Sequence, residues 1–416
     1  MRILLIGGGG REHAIACALA RSPRTEKLYC LPGNAGISEV AECIEGSVMD
    51  FEHIAKVVKE KSIDTVFVAP DDPLYGGLVN RLEQDNVRCF GPKKEAAIIE
   101  GSKAFSKEFM AKYHIPTALY RTFDNYEKKK KYIEECPLPT VIKADGLALG
   151  KGVIIAETRD DARKALEKTM LDKAFGNAGN TVVIEEFLTG KEFTLLAFCD
   201  GKSFSLMPTS QDHKRAYDGD KGPNTGGMGA FSPAFVYSEE VMKETVERIV
   251  VPTVNGLIAE GRPFKGVLYF GLMATENGVK VIEYNARFGD PETQVILPLL
   301  KTDLTSIVDA CIDGTLSDVD VEWEDGCSFC VVMASGGYPG KIVKGYPITI
   351  GDLSEDIKIY HSGTAFRDGQ LVTNGGRVLC VTTKGKTIAE CREKVYSEIE
   401  KISFKDSEYR RDIGIK

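Results

Sequence analysis

The stretch RILLIGGGGREHA, residues 2–14, places a short apolar run directly before four glycines and a helical segment. The run at 2–6 predicts a buried strand, and a helix is expected to begin near Arg11. Elements of the same kind follow as strands at 27–31, 64–69 and 87–90 and a helix at 51–61. Because strands alternate with helices, we expect a parallel α/β sheet of about a hundred residues.

A different pattern follows from residue 102 onward. Residues 139–144 and 153–156 predict two strands, and the sequence DGLALGKG at 145–152 predicts a hairpin with a flexible, glycine-rich tip. The flanking elements are predicted helices at 102–113, 126–135 and 160–171 and a strand at 181–185. Together they predict a compact α+β unit over residues 120–190.

The rest of the chain predicts long strands, one long loop and a C-terminal sheet. Residues 192–208 are expected to form two strands joined at Asp200-Gly201. The five glycines and many polar residues of 211–230 predict a long loop, and long loops in compact proteins are usually either functional or disordered. The remaining predictions are a helix at 238–260, strands at 266–274 and 278–284, a mostly antiparallel sheet with strands near 328–334, 347–350, 357–361 and 377–382, and a helix that starts at Thr387.

Composition excludes several classes of protein. The chain has 416 residues, of which 43% are hydrophobic and 27% charged, and its formal net charge is −8. These proportions argue against a disordered or collagen-like chain. The acidic balance argues against a protein that binds nucleic acid through a general basic surface. We find no apolar run of membrane-spanning length, so we expect no membrane partner.

The eleven cysteines are scattered along the chain. Only Cys327 and Cys330 have the CxxC spacing, and no second pair or nearby histidine completes a zinc site. We expect reduced, mostly buried thiols in a cytosolic protein, with a redox pair as the alternative.

The glycine turn at 7–10 predicts an anion site, because the free N–H groups at a helix N-terminus point towards a ligand. A dinucleotide site is disfavoured. No frame gives G-x-G-x-x-G, since the third glycine position falls on Glu12 or His13, and the second strand ends in Leu31-Pro32 without an acidic residue. A substrate phosphate site and a plain tight turn both remain open.

Lys143 and the loop to Gly152 suit a triphosphate. The lysine supplies a point charge, and glycines let backbone N–H groups approach phosphate oxygens. The Walker pattern is absent, and a purely structural hairpin is the alternative. Glu185 to Leu188 follow a strand and could bind adenine and ribose, although adjacent surface acids at a strand end are common.

The sequence EYNAR at 283–287 gives the sharpest pattern. On a strand, Glu283, Asn285 and Arg287 share one face. Two oxygen ligands suit Mg²⁺, and the arginine fork can hold a carboxylate or phosphate. A polar face of an edge strand is the alternative. The 211–229 loop could wrap an amino acid or a phosphorylated substrate, with His213 as a possible general base.

Eight motifs taken in order resemble the phosphoribosylamine–glycine ligase family of ATP-grasp enzymes over nearly the whole chain. They are GGGGREHA (7–14), PGNAG (32–36), EGSK (100–103), IKADGLALGKGV (142–153), QDHKR (211–215), PNTGGMGA (223–230), NARFGDPE (285–292) and NGGRV (374–378). The resemblance implies an α/β ATP-grasp fold with an N-terminal parallel-sheet domain at 1–101, a grasp domain at 102–325 with an inserted lid at 120–190, and a mixed C-terminal α+β domain at 326–416.

The resemblance also implies a reaction. Glycine would attack the γ-phosphate of ATP to give glycyl phosphate, and 5-phosphoribosylamine would then displace phosphate to give glycinamide ribonucleotide in purine synthesis. ATP and Mg²⁺ or Mn²⁺ are the implied cofactors. A cytoplasmic monomer without nucleic-acid or membrane partners is expected. An ATP-grasp ligase or carboxylase with another acceptor, and a nucleotide-binding regulatory protein without turnover, are the alternatives.

The resemblance assigns roles by position. The implied catalytic residues are Lys143, Asp212, Lys214 and Arg287. The implied nucleotide ligands are Lys103, Lys143, Gly150, Lys151, Gly152, Glu185, Glu186, Phe187, Leu188 and Glu192. The implied substrate ligands are Gly8, Gly9, Gly10, Asn34, Asp71, Asn224, Thr225, Gly226, Asp290, Asn374 and Arg377. The implied metal ligands are Glu283 and Asn285.

Three departures from the family pattern stand out. Asp71 replaces a glutamate, Leu149 replaces an alanine of the lid, and the strand at 267–273 carries no acid. The metal site would therefore depend on Glu283, Asn285 and phosphate oxygens.

Overall fold

A computed structural model of the protein describes residues 1–146, 152–167, 169 and 181–415. Over these residues the chain forms one parallel sheet and several antiparallel sheets, with helices packed against them. Within the described part of the chain, no helix is both long enough and apolar enough to cross a bilayer.

The N-terminal unit is the predicted parallel sheet. Its strands are β1 (Arg2–Gly7), β2 (Lys27–Pro32), β3 (Glu42–Cys43), β4 (Thr65–Val68) and β5 (Arg88–Phe90), and its helices are α1 (Gly10–Ala20), α2 (Phe51–Glu60), α3 (Asp71–Gly76), α4 (Leu78–Glu83) and α5 (Lys94–Gly101). All neighbouring strands are parallel, in the order β3-β2-β1-β4-β5. The carboxyl ends of β1 and β4 therefore lie side by side, which is where α/β sheets bind ligands.

Local sequence explains these elements. Asp50 caps α2 by accepting a hydrogen bond from the His53 N–H, and Ile54, Val57 and Val58 are buried beneath that helix. Burial of each such side chain contributes about 1.5–3 kcal/mol. The sequence analysis missed α3 to α5. In α3 and α4, Pro73 and the Gly76-Gly77 pair interrupt the helical periodicity.

The second unit is a small antiparallel sheet, called here the small sheet. Its elements are α6 (Lys103–Lys112), β6 (Tyr120–Phe123), α7 (Tyr126–Glu135), β7 (Thr140–Ala144), β8 (Val153–Ala156), α8 (Arg159–Leu166) and β9 (Val182–Glu186). The strand order is β6-β9-β7-β8, and Lys143 pairs with Val153. This confirms the predicted hairpin, whose tip at 147–151 lies outside the described residues.

The third unit contains the long strands. Its elements are β10 (Lys191–Asp200), β11 (Phe204–Leu206), β12 (Gln211–Asp212), β13 (Arg215–Tyr217), β14 (Lys221–Asn224), β15 (Gly229–Ser232), α9 (Glu239–Thr245), α10 (Val251–Ala259), β16 (Lys265–Thr275) and β17 (Gly278–Asn285). Strands β11-β10-β16-β17 form an antiparallel sheet, called here the central sheet.

The prediction of one long loop at 211–230 was wrong. Strand β12 pairs with β15, and β13 forms a hairpin with β14. The buried Arg410 holds this hairpin, since it donates to the Arg215 carbonyl oxygen and to Asp220. Strands of two to four residues are too short to show alternation, and their glycines and polar residues resemble those of a loop.

The helix predicted at 238–260 is present but changes its pitch. A π-helical segment, Val246–Val250, joins α9 to α10. Pro252 follows directly, and proline lacks the N–H needed to continue an α-helical ladder. The π-helical turn is wider than an α-helical turn, and it lies where the N–H of Pro252 is missing from the α-helical hydrogen bonds.

The C-terminal unit is an antiparallel sheet with a helix on one face. Its elements are α11 (Thr293–Ile296), α12 (Leu304–Asp313), β18 (Cys327–Ser335), β19 (Thr349–Ile350), β20 (Lys358–His361), β21 (Thr364–Arg367), β22 (Gln370–Thr373), β23 (Arg377–Gly385), α13 (Ile388–Ile399), β24 (Ile402–Ser403) and β25 (Ser407–Glu408). The strand order is β12-β15-β18-β23-β20, so the sheet includes strands from the third unit.

Two details differ from the sequence-based prediction. Strand β19 pairs with β24 and does not join the larger sheet, since its two residues are exposed. The β21–β22 hairpin was missed. Its turn residues Asp368 and Gly369 have φ values of 51° and 76°, and an Asp-Gly pair of this kind is a recognisable hairpin signal.

Candidate active site

A cavity of about 610 Å³ lies where the small sheet and the central sheet face each other, beside α3, α5 and α6. This volume suits a ligand of nucleotide size. Most of the predicted site residues line it, namely Asp71, Lys103, Lys143, Gly152, Glu185, Glu186, Phe187, Leu188, Glu192, Asp212, Lys214, Asn224, Thr225, Gly226, Glu283, Asn285, Arg287, Asp290 and Arg377.

Some predicted residues are not among those that line the cavity. They are Gly8, Gly9, Gly10, Asn34 and Asn374. Gly150 and Lys151, together with Leu149, lie outside the described residues.

The glycine turn after β1 already has partners for its N–H groups. The Gly9 N–H donates to Glu12 at 2.7 Å, and the Arg11 N–H donates to Asp290 at 3.3 Å. Asn34 is similarly engaged, because its amide donates to the carbonyl oxygens of Gly8 at 2.9 Å and His361 at 2.7 Å. Protein groups therefore accept from the Gly9 N–H and the Asn34 amide, two of the donors that were expected to hold a substrate phosphate.

Three buried charges meet on one side of the cavity. The Glu185 Oε2 atom lies 3.0 Å from the Lys143 Nζ and 3.1 Å from the Lys107 Nζ. Lys143 also donates to the Ile282 carbonyl oxygen at 3.2 Å, which ties the small sheet to the central sheet. The other carboxylate oxygen, Glu185 Oε1, is buried without a hydrogen-bond partner among the described residues. That oxygen can accept a hydrogen bond from a ligand.

Lys107 is the most deeply buried of the cavity lysines, with 2% of its surface exposed. Burial lowers the pKa of Lys107 to about 8, and the charge of Glu185 opposes that shift. Lys107 also donates to the Thr117 hydroxyl at 2.7 Å. It therefore carries a positive charge at neutral pH while two protein groups hold its ammonium.

The start of the glycine-rich loop is fixed to helix α6. Ser102 caps α6 and donates to Asp145, which also accepts from the Ala104 N–H at 3.0 Å. Lys103 donates to the Gly146 carbonyl oxygen at 3.3 Å. Gly146 and Lys103 thus line the cavity next to each other.

The acidic strand on the opposite side carries the predicted metal ligands. Glu283 and Asn285 line the cavity from β17, where they pair with Gly271 and Tyr269 of β16. Burial raises the pKa of Glu283, but the nearby Lys214 and Lys143 outweigh it, so its pKa is lowered overall. An ionised carboxylate and an amide oxygen are ligands that Mg²⁺ accepts.

Glu283 and Asn285 could hold a divalent cation only with help from a ligand. Among the described residues, no group of three or more His, Cys, Asp or Glu side chains could hold a metal ion. The donor set fits a cation that completes its shell with phosphate oxygens and water.

A cluster of polar groups surrounds Lys214. Its ammonium lies 3.3 Å from Glu192 and 4.0 Å from Glu283. Burial raises the pKa of Asp212 to about 7, although Lys214 opposes this shift. An acid with this pKa can exchange protons near neutral pH.

Strand β16, which carries no acid over residues 267–273, presents Tyr269 to the cavity opposite Asn285. Its hydroxyl donates to Glu292 at 2.9 Å and lies 3.0 Å from the Thr194 hydroxyl. The carboxylate of Glu292 therefore reaches this layer of the cavity from the turn after β17.

Arg287 is held by a buried acid. Its Nη2 atom lies 2.9 Å from Glu100 and 3.2 Å from the Asn285 Oδ1 atom, and its Nε atom is buried without a hydrogen-bond partner among the described residues. Asp71 lines the same wall. Burial raises the pKa of Asp71, but Arg287 and Arg11 outweigh it and lower the pKa overall. The shorter acid thus still lines the cavity beside Arg287.

Arg377 connects the C-terminal unit to two loops of the cavity. It lies 3.2 Å from the Asp290 carboxylate and donates to the carbonyl oxygens of Gly226 at 2.7 Å and Asp290 at 2.8 Å. Gly227 needs its small size here, because its φ is 112° and a Cβ would lie 2.4 Å from the Pro291 ring.

The turn at 288–292 was expected to line this cleft, and Glu292 does line it. The sequence analysis missed several other lining residues, namely Arg11, Glu100, Lys107 and Tyr269. Arg11 and Glu100 lie inside quoted motifs, so those motifs were a usable signal. Lys107 follows Lys103 by one helical turn, which places both on one face of α6. Tyr269 gave no signal within its apolar strand.

Two alternatives from the sequence do not fit the geometry. His213 does not line the cavity, and burial lowers its pKa to about 4. It is packed against Phe231. Cys327 and Cys330 are free thiols, like the other nine cysteines, and Cys330 is buried in β18.

Comparison with known proteins identifies the family. Models of phosphoribosylglycinamide synthetase match residues 1–100 (N domain), 101–293 (ATP-grasp domain) and 328–416 (C domain). A phosphoribosylamine–glycine ligase of Caldanaerobacter subterraneus is 48% identical over 100% of this chain and 99% of its own. The chain belongs to the phosphoribosylamine–glycine ligase family.

Solved structures agree with this assignment. The crystal structure of phosphoribosylamine–glycine ligase from Thermotoga maritima is 36% identical, with a TM-score of 0.87 over 99% of this chain and 100% of its own. A biotin carboxylase–βγ-ATP complex from Campylobacter jejuni is 15% identical, with a TM-score of 0.77 over 98% of this chain and 92% of its own. The predicted α/β ATP-grasp fold is confirmed.

Proposed function

We propose that this protein is an ATP-dependent ligase that joins glycine to 5-phosphoribosylamine and gives glycinamide ribonucleotide, ADP and phosphate. The observation that carries the proposal is the 48% identity to a named phosphoribosylamine–glycine ligase over the whole chain. The cavity supports it, because a polyphosphate and a carboxylate substrate both need cationic partners, and Lys143, Lys214 and Arg287 supply them.

ATP would lie between the small sheet and the central sheet. Lys103 and Lys143 would hold its phosphates, together with the loop that ends at Gly152. The unpaired Glu185 Oε1 would accept from the adenine amine, beside Glu186, Phe187 and Leu188. Glu192 would bind the ribose. Gly150 and Lys151 would belong to the same phosphate loop.

Mg²⁺, or Mn²⁺ in its place, would be held by Glu283 and Asn285. When bound there, the ion would neutralise phosphate charge and favour attack by an anion. Glu283 supports this role because it stays ionised beside Lys214 and Lys143.

Two steps would follow in the cavity. A glycine carboxylate oxygen forms a bond to the γ-phosphorus, and the bond from that phosphorus to the ADP oxygen breaks. Arg287 and Lys214 would hold the two anions together. The 5-phosphoribosylamine nitrogen then bonds to the acyl carbon, phosphate leaves, and Asp212 would accept the proton that the nitrogen loses.

The remaining substrate contacts follow from position. Asp71, Asn224, Thr225, Gly226, Asp290 and Arg377 would face glycine and 5-phosphoribosylamine. Gly8 to Gly10, Asn34 and Asn374 stay proposed contacts of the phosphoribosyl group. The Gly9 N–H and the Asn34 amide would need to exchange their present protein partners for substrate.

We extend the proposal to the organisation of the protein. The domains would be 1–101, 102–325 with a lid at 120–190, and 326–416, and the enzyme would act as a cytoplasmic monomer. The separate small core of Ile133, Ile142, Leu166 and Ile184 supports an independent lid.

A coupled ADP assay with each substrate omitted in turn tests the function. We expect ADP release only when glycine and 5-phosphoribosylamine are both present, with glycinamide ribonucleotide as the product in mass spectrometry. Turnover that needs a different amine or bicarbonate would identify another ATP-grasp reaction. Nucleotide binding without turnover would instead indicate a regulatory protein.

A further inference from the structure

Lys107 joins the ion pair of Lys143 and Glu185, although the proposed reaction gives Lys107 no role. Lys107 reaches the same carboxylate oxygen from helix α6, at 3.1 Å, while Lys143 reaches it from β7 at 3.0 Å. All three side chains are buried. One acid is therefore shared between two ammonium groups.

The surroundings of Lys107 fix its ammonium in place. It donates to the Thr117 hydroxyl at 2.7 Å, and that hydroxyl donates to the Val281 carbonyl oxygen at 2.7 Å. The ammonium also lies 5.7 Å from the centre of the Tyr120 ring. These contacts direct Lys107 towards Glu185 and anchor it to both sheets.

The charges have a consequence for Lys143. With Lys107 present, the cluster of two lysines and one glutamate carries a net positive charge. Without Lys107, Glu185 and Lys143 would form a neutral pair, and buried opposite charges attract strongly. The Lys143 ammonium would then be held by the carboxylate and would be a weaker partner for an anion.

We propose that Lys107 is a positioning residue that shares the charge of Glu185 and thereby leaves Lys143 available to nucleotide phosphates. This inference rests on the proposed function, which places those phosphates at Lys143. Lys107 acts through Glu185 and Thr117, the two groups that hold its ammonium.

The first test is a Lys107→Met variant, which keeps the length of the apolar stem and removes the charge. We expect ADP to bind about tenfold more weakly by calorimetry. The KM for ATP should rise while the KM for glycine stays within about twofold of wild type. Lys112→Met is the matched control, since Lys112 lies on the same helix with its side chain exposed and pairs with Glu260.

A double-mutant cycle separates this role from a merely structural one. If Lys107 acts through Glu185, Lys107→Met should change ADP affinity by less than about threefold in a Glu185→Gln background. An equal loss of affinity in both backgrounds would overturn the inference, because Lys107 would then act independently of Glu185.

A second variant keeps the test open if Lys107→Met does not fold. Thr117→Val removes the hydroxyl that orients Lys107, and we expect ADP affinity to fall about threefold, again only when Glu185 is present. Unchanged ADP affinity in Thr117→Val would contradict the inference. Wild-type protein that binds no ADP would overturn the proposed function as well, whereas wild-type turnover with an additive cycle would overturn only the role of Lys107.

Discussion

Two turns of the molecule are rich in glycine but have different surroundings. At the turn that starts at Asp145, the described residue Gly146 lines the cavity together with Lys143 and Glu185, and one Glu185 oxygen has no hydrogen-bond partner among the described residues. The turn after β1 has its Gly9 N–H bound to Glu12 and its neighbour Asn34 bound to the C-terminal unit. A glycine motif indicates where a ligand can approach the backbone. A buried polar atom without a hydrogen-bond partner indicates where a ligand can supply the missing bond.

The largest effect on activity is expected beside the turn that starts at Asp145. Lys143→Ala should lower kcat/KM about a thousandfold, because it removes a buried cation from the phosphate site. The ADP assay measures this change. Lys130→Ala, an exposed lysine of α7, should leave turnover at the wild-type value. Near-normal activity of Lys143→Ala would remove this region from the active site.

A substitution of Glu283 in strand β17 should have the second-largest effect on turnover. Glu283→Gln keeps the size of the side chain and removes its charge, so we expect turnover to fall about a hundredfold. The Mg²⁺ concentration needed for half-maximal rate should rise. Glu276→Gln, in the exposed turn before β17, is the control. An unaltered Mg²⁺ dependence would exclude Glu283 as a metal ligand.

Near the glycine turn after β1, we expect the free energy of unfolding to fall at acidic pH, because His13 and His361 are buried there as neutral rings. The His361 N–H donates to the His13 Nδ1 atom at 2.8 Å, and burial lowers the pKa of His13 to about 3 and that of His361 to about 4. Both rings are therefore neutral in the folded protein. Their contribution to stability is complete above pH 6.5 and is lost progressively as the pH falls towards 4 and then 3.

Urea unfolding measures this dependence. Between pH 7.5 and 5.5 we expect the two rings together to lower the free energy of unfolding by about 2–3 kcal/mol. His13→Gln should reduce the slope, and the exposed His114→Asn should not change it. A slope unaffected by His13→Gln would show that the pair does not govern acid stability.

Asn34→Ala should have the smallest effect on stability among these variants. It tests whether the glycine turn after β1 contacts substrate. Because the Asn34 amide bonds Gly8 and His361, we expect the free energy of unfolding to fall by about 1–2 kcal/mol. Because Asn34 is also a proposed contact of the phosphoribosyl group, the KM for 5-phosphoribosylamine should rise by more than about threefold. An unchanged KM with lowered stability would contradict the proposed substrate contact.

Much of the fold was predictable from the periodic spacing of apolar residues along the sequence. The apolar run at 2–6, the strands around Lys143 and the alternation at Glu283 and Asn285 were all predictable, because each element has a regular pattern of burial. Strands β12 to β15 were not, since their pairing is decided by Arg410 and β18, far away in the sequence.

Many of the residues that line the cavity were predictable from the sequence, but the contacts between them were not. Motif positions identified Lys143, Glu185 and Glu283, but no pattern in the sequence links Lys107 to Glu185 across 78 positions. That contact arises only when helix α6 packs beside β9. The same limit applies to Asn34, whose partner His361 belongs to the opposite end of the chain.

A crystal structure with ADP and Mg²⁺ tests the central claim most directly. We predict the nucleotide between the small sheet and the central sheet, with its phosphates within hydrogen-bond distance of Lys143 and the metal bound by Glu283 and Asn285. Phosphates located away from Lys143, for example on the glycine turn after β1, would contradict it.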